Sequence, residues 1–237
     1  MKLLAFDTST ETLSIAVRPG ADAPLLEHTG AGGAQASAGL IPEIQHLLGK
    51  AGLALQQLDA IAFGRGPGSF TGLRTAAAVA QGLGFGAGVP VLAIDTLLAV
   101  AEEAHGLCGA TRIVALLDAR MGEVYFAAYE RQDGLWQVRQ APALGRPEDV
   151  PGLPGWTLAG NALQLHAARL PAGADRVEAL PTARALVRLA PAALAAAEGH
   201  GAAQALPLYI RDKVAQTTEE RAADRARKES LRVAEPK

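Results

Sequence analysis

The chain has 237 residues, 49% of them apolar, 19% charged and 4% aromatic, with 22 Lys and Arg against 24 Asp and Glu. That balance excludes a chain disordered throughout, and a net charge of -2 supplies no field for tight, independent binding to a phosphate backbone. Alanine accounts for 51 residues, which favours helices packed closely through small side chains, in one large domain or two lobes. A single cysteine, Cys108, excludes an internal disulfide and a multi-thiolate metal site and points to a reducing compartment, the cytoplasm.

In chain order, residues 3–6 and 13–17 are apolar runs separated by the polar stretch 7–12, which predicts a β-hairpin. The first run is too short for a secretory signal. Ser37 is the expected cap of a first helix carrying Leu40, Ile44, Leu47, Leu48 and Ala51 at helical spacing and ending at Gly52. A strand over 58–63 leads into a glycine-rich loop at 64–69 and a second helix over about 70–85. A turn at 86–90, a strand over 91–94 and a third helix over about 96–104 follow. Residues 75–94 carry no formal charge over the length of a membrane span, but Gln81, Pro90, four glycines and many alanines make transfer into lipid weak. No membrane association is expected.

Residues 112–117, the turn Asp118-Ala119-Arg120-Met121-Gly122-Glu123 and residues 124–129 repeat the opening strand, acidic turn and strand. Setting Asp7 against Asp118 (118 minus 7, or 111 residues) places Leu13, Ile15 and Val17 against Val124, Phe126 and Ala128, an internal duplication. Strands alternating with helices behind a hairpin predict an α/β fold with mixed sheets. The Pro- and Gly-rich stretch 134–155 reads as irregular. A strand over 156–159 enters a turn at Gly160-Asn161, helices are expected over 163–170, 183–189 and 192–197, and 219–237 reads as a solvated end.

Two acidic hairpin turns suit a fold in which carboxylates face each other across a cleft and backbone amides hold phosphates. Asp7-Thr8-Ser9-Thr10, however, lacks the glycine that admits a phosphate to the backbone, so Asp7 and Asp118 serve equally well as turn stabilisers. The run from Gly64 to Arg74 is neither a Walker loop, lacking its Gly-Lys-Ser/Thr ending, nor a hydrolase elbow, since Pro67 and Thr71 flank Ser69. The five histidines have no zinc spacing and read as surface residues. Ala78, Gly82 and Gly86 make a smooth stripe on a helix whose one charge is Arg74, and a leucine-rich first helix lies nearby, predicting a subunit interface.

The runs Phe6-Asp7-Thr8-Ser9-Thr10-Glu11, Phe63 through Arg74, Asp118 through Tyr125, and Pro207-Leu208-Tyr209-Ile210-Arg211 resemble the bacterial TsaB family, also called YeaZ. The resemblance covers residues 1 to about 213 and departs where Ala36-Ser37 stands for a frequent His-Ser pair. It implies two lobes of the duplicated actin-like ATPase (ribonuclease H-like) fold: 1–106, then 107–213 with its last helices packing back on the first lobe, then a charged tail at 214–237. It further implies a non-catalytic scaffold subunit of the machinery that makes N6-threonylcarbamoyladenosine at position 37 of tRNAs reading codons that begin with A. Such a subunit binds and activates TsaD, is joined by TsaE, forms a homodimer when alone and meets tRNA only through the complex. No catalytic or metal-binding residue of its own is implied, nor any intrinsic cofactor, with ATP or ADP as candidate ligand at the boundary with TsaD. The expected partner interface is Leu40, Ile44, Leu47, Leu48, Leu73, Arg74, Ala77, Ala78, Gln81 and Gly82; the candidate nucleotide cleft is Asp7, Thr8, Ser9, Asp118, Arg120 and Gly160. A stand-alone ATPase or kinase would need a complete magnesium and phosphate site, and a glycoprotease-like peptidase a nucleophile or metal set that the sequence does not display.

Overall fold

The computed structural model describes residues 1–196 and 201–211; the tail expected at 214–237 lies outside the described residues. Strands β1 (Leu3–Asp7), β2 (Thr12–Arg18) and β3 (Leu26–Ala31) are followed by α1 (Ala36–Ala51), β4 (Ala60–Gly66), α2 (Phe70–Ala87), β5 (Val91–Asp95) and α3 (Thr96–Cys108). The second series is β6 (Arg112–Asp118), β7 (Val124–Gln132), β8 (Leu135–Gly145), β9 (Thr157–Gly160), α4 (Ala162–His166), β10 (Asp175–Val177) and α5 (Ala183–Ala196).

The two sheets run β3-β2-β1-β4-β5 and β8-β7-β6-β9-β10. In each, the first three strands pair antiparallel and the last two join in parallel. The duplication predicted from the hairpins therefore extends to whole sheets. Its detailed register differs from expectation: Asp7 pairs with Ser14 whereas Asp118 pairs with Val124, so the second turn is one residue shorter. Leu13, Ile15 and Val17 nevertheless match Val124, Phe126 and Ala128 in face, both sets packing on the side of their sheet away from the inner helices, so it is the two aspartates, alternating with opposite faces, that are not equivalent.

Helices α1 and α2 cover one face of the first sheet, where Leu40, Ile44, Leu47, Leu48, Ala76 and Ala80 pack on Leu4, Phe6, Ile15, Ile61 and Phe63. On the opposite face, Ala183, Leu186, Val187 and Ala190 of α5 meet Leu3, Ala5, Ala16, Ala60 and Ala62. Helix α3, although it follows the first sheet in sequence, packs Leu97, Val100, Ala101 and Ala104 on Ile113, Ala115, Leu117 and Tyr129 of the second. The two inner helices therefore lie side by side between the sheets, each on the sheet that the other's half of the chain builds.

Local differences from the sequence expectation have physical reasons. Ser37 lies inside the first turn of α1, since a short 3-10 segment leads the chain in and Gln35 becomes the cap residue, without a side-chain bond. Strands β3 and β8 lie at sheet edges, and β8 follows a tight turn in which Asp133 and Gly134 both take positive φ, so the irregular composition of 134–155 hides a strand of 11 residues. Helix α4 stops at His166, short of 170. The two helices expected around Pro191 are one continuous helix; proline forfeits a single backbone bond, and Pro191 stands on the exposed side. Among the described residues, no helix is long and apolar enough to cross a membrane.

The inner helices are pinned by a charged seam. Glu102, 4% exposed, accepts hydrogen bonds from Arg188 Nε at 2.7 Å and Trp136 Nε1 at 2.8 Å, with Arg131 at 3.6 Å. Arg188 also reaches Glu103 at 2.8 Å. Removing one member of a buried pair costs ~3–5 kcal/mol; both guanidiniums here are about a quarter to a third exposed, which screens the loss. Glu102→Ala is therefore expected to lower unfolding free energy by about 2 kcal/mol, read as a lower urea midpoint at unchanged slope.

Candidate functional site

The loop between β4 and α2 exists to bring two backbones together. Ser69 N donates to Ser9 O at 2.7 Å, and Thr8 Oγ1 donates to Gly72 O at 2.7 Å. A Cβ at Gly72 would overlap the carbonyl of Thr8, one at Gly68 the carbonyl of Ser9, and one at Gly64 the Oδ2 of Asp7. The glycines that make this motif conspicuous in the sequence thus provide clearance for the first acidic turn. They cradle the protein's own backbone.

Asp7 is fully buried. Its Oδ1 accepts from Ser9 N at 2.8 Å and Ser9 Oγ at 2.6 Å, while its Oδ2 is buried with no hydrogen-bond partner. Burial raises the carboxyl from its ordinary 3.8 to about 6 against the opposing pull of the Ser9 bonds. Asp118 is placed differently: His166 Nε2 lies 3.2 Å from its Oδ1, its amide donates to Asn161 Oδ1 at 2.9 Å, and Arg120 N donates to it at 3.3 Å. The expectation that the two acids face each other across a cleft is therefore corrected. Asp7 abuts Gly64 of β4, and Asp118 turns toward His166 of α4, because Asp7 alternates with Leu3 and Ala5 on the inner face of its sheet whereas Asp118 alternates with Val114 and Leu116 on the outer face of its own. His166, read as a surface residue, has a side chain only 11% exposed.

Between the lobes lie two adjoining hollows of about 280 and 170 Å³ that share Glu11, Gly68, Ser69, Ala119, Arg120 and Tyr125. An Arg120 to Glu11 ion pair spans them. Of the six cleft candidates, Asp118, Arg120 and Ser9 border this space, with Ser9 only 2% exposed. Asp7 and Thr8 are sealed, and Gly160, at φ 142°, is pressed against the Leu116 carbonyl, so these three are not ligand-facing. Asp7, enclosed against Gly64, is not available to a magnesium ion in this hollow, although Ser9 and Thr10 of the same turn border it. Among the described residues no cluster of three His, Cys, Asp or Glu is placed to hold a metal.

The interface candidates divide in the same way. Leu40, Ile44, Leu47, Leu48, Leu73 and Ala77 are all at most 5% exposed, five of them in the core between α1, α2 and the sheet. They cannot form an outer face, because the apolar side of α1 already serves the chain's own sheet. Gln81 is half-buried and donates to Ala205 O at 3.2 Å. Arg74, Ala78 and Gly82 are exposed, with Thr71, Phe85 and Gly86 on the same side of α2. Unanticipated from the residues was the use of 205–211: Leu208 N donates to Arg65 O at 2.7 Å, while Arg211 Nη2 donates to Ala119 O at 2.9 Å and Glu123 Oε2 at 2.7 Å. This strap ties the two lobes together.

Two copies of one mixed-sheet unit with helices exchanged between them define a duplicated actin-like fold, here with Asp7 at the head of its first turn enclosed. A family model described as "TsaD: tRNA N6-adenosine threonylcarbamoyltransferase" matches residues 34–169. The structure of YeaZ from Pseudomonas aeruginosa is similar at 41% identity and a TM-score of 0.80, covering 88% of this chain and 99% of that one. The tRNA threonylcarbamoyladenosine biosynthesis protein TsaB of Escherichia coli is 40% identical over 151 residues, 63% of this chain; that of Haemophilus influenzae is 46% identical over 134 residues, 56% of this chain. The matches span 64% and 55% of those two curated relatives. The chain belongs to the TsaB (YeaZ) family.

The Asp7 carboxyl makes stability depend on pH. A folded value of about 6 against 3.8 means that the native state holds the proton more tightly, so this group's contribution is complete below pH 3.8 and is lost as pH rises through 6. The full difference is about 3 kcal/mol. Asp7→Asn retains an oxygen for the Ser9 bonds and carries no charge, so it is expected to be more stable than the parent at pH 8, with the advantage disappearing at pH 4. Urea unfolding at the two pH values measures this directly.

Proposed function

We propose that this chain is a non-catalytic subunit of the machinery that makes N6-threonylcarbamoyladenosine at position 37 of tRNA, acting by binding and activating TsaD. The likeness to TsaB proteins supports the pathway. The observation that carries the subunit role is the enclosed start of the first turn: Asp7 and Thr8 are covered by Gly64 and Gly72, which withholds the Asp7 carboxylate from any metal or phosphate in the neighbouring hollow. Against a stand-alone ATPase or kinase stands the same closure. We place ATP or ADP, where it acts in this pathway, at the boundary with TsaD, and tRNA and TsaE with the assembled complex.

The docking surface in this reading is the exposed side of α2. Gly82 and Gly86 have nothing within 4 Å of where a Cβ would lie, so a partner helix meets no side chain at those positions and approaches closely, as ridge-and-groove packing requires. The same surface serves a homodimer when the chain is alone, so the two assemblies compete. Ala78 is the point to test, being exposed at the centre of the stripe. Ala78→Arg sets an unpaired charge into a surface meant for burial, at a cost of several kcal/mol (~3–5 for an uncompensated charge). The variant is expected to keep its circular dichroism spectrum, sediment as a monomer and fail to capture TsaD. Capture at parental affinity would overturn the docking reading.

A further inference from the structure

The chemistry that α2 asks of a partner is set by Arg74. Arg74 is the one charged residue of the helix and lies on its exposed side. It is nevertheless held in place. Its Cζ sits 3.7 Å from the centroid of the Phe70 ring, and its Nε donates to the Tyr209 hydroxyl at 3.2 Å. The Phe70 and Tyr209 rings lie 5.3 Å apart, tilted by 35°. Tyr209 is in turn fixed by the strap, anchored beside it through Leu208 N on Arg65 O and beyond it through Arg211 on Ala119 and Glu123.

With Nε engaged and one face of the guanidinium against Phe70, the two Nη groups have no hydrogen bond or ion pair among the described residues. An arginine restrained in this way forfeits less freedom on binding than one free to sweep through solvent, so it is pre-organised as a receptor. Its fork matches a carboxylate, which accepts two parallel N–H bonds. Helix α2 has no acid of its own, so two copies of it facing each other supply no such group. The one acid of α1, Glu43, lies 3.5 Å from His28 of the same chain. Around the fork, Thr71, Ala78 and Gly82 present a small, uncharged surface suited to a helix rather than to a phosphate backbone, which would find no second cation on α2.

We infer that Arg74 is the docking anchor for an Asp or Glu carboxylate on the partner helix, and that Tyr209 is a positioning residue acting through it. The inference rests on the docking reading above. It also makes the strap part of the interface, so the lobe-to-lobe contact at Arg211 and the recognition of the partner share one short segment.

The test is a double-mutant cycle on the affinity of the full chain for TsaD. Arg74→Ala is expected to weaken binding by ~10–100-fold, as for loss of one member of a charge pair desolvated in an interface. Arg74→Lys should recover only a minor part of this, having no bidentate fork. Tyr209→Phe keeps the ring and loses the hydroxyl; it should weaken binding about threefold in the parent and leave it unchanged in the Arg74→Ala background, the non-additivity expected of residues acting as a unit. If Ala78→Arg abolishes capture while Arg74→Ala binds within twofold of the parent, the docking reading stands and the anchor falls. If Arg74→Ala weakens only self-association, or only the capture of tRNA by the complex, the carboxylate partner is overturned in favour of a second copy or a phosphate. Equal effects of Tyr209→Phe in both backgrounds would remove its positioning role.

Discussion

The start of α2 lies in backbone contact with the turn after β1. Everything else at this end of the molecule follows from that approach. Three glycines make room for it, two hydrogen bonds hold it, and it leaves Asp7 enclosed with one oxygen unpartnered. The approach also fixes the direction of α2, with Ala76 and Ala80 on the sheet and Ala78 and Gly82 outward, and it sets Phe70 where Tyr209 and Arg74 stack on it. A buried ionisable group with an idle oxygen is costly.

Much of the fold was legible because its units are local and periodic. The hairpin, α1, β4, α2 and β5 announce themselves by alternation or by helical spacing, and the second acidic turn discloses the duplication. What stayed hidden lies at edges. Strand β3 reads Leu-Glu-His-Thr-Gly-Ala, with no apolar alternation, because an edge strand owes its place to pairing rather than to burial. The exchange of α3 and α5 is likewise invisible to local patterns, since nothing in an amphipathic stripe names the sheet that will receive it.

The site was legible in its motifs and less so in their meaning. Glycine spacing marks a close approach, but phosphate and backbone are equally good reasons for one, and only the position of Thr8 and Asp7 distinguishes them. On the helix pair, the smooth stripe at Ala78 and Gly82 is exposed, whereas the leucines of α1 are spent on the chain's own sheet. An apolar face reports that something covers it without saying what. Arg211 and Tyr209 belong to a run legible only through its resemblance to the family, and their work in the strap depends on contacts about 90 and 135 residues away, beyond the reach of any local rule.

The crossed helices bear on how the chain is made. The inner face of the first sheet waits for α5, which begins 117 residues after β4 ends (183 minus 66). At ~5–20 residues per second that face stays uncovered for about six seconds or more. Over that interval it presents Ala5, Ala16, Ala60 and Ala62 between Leu3, Leu92 and Ile94, and the four alanines make its centre less adhesive than leucine or isoleucine in the same positions. Alanine there gives up some stability in the finished molecule and lessens the hazard of an unfinished one, so the richness in alanine with which the sequence begins its story is a property of the nascent chain as much as of the native state.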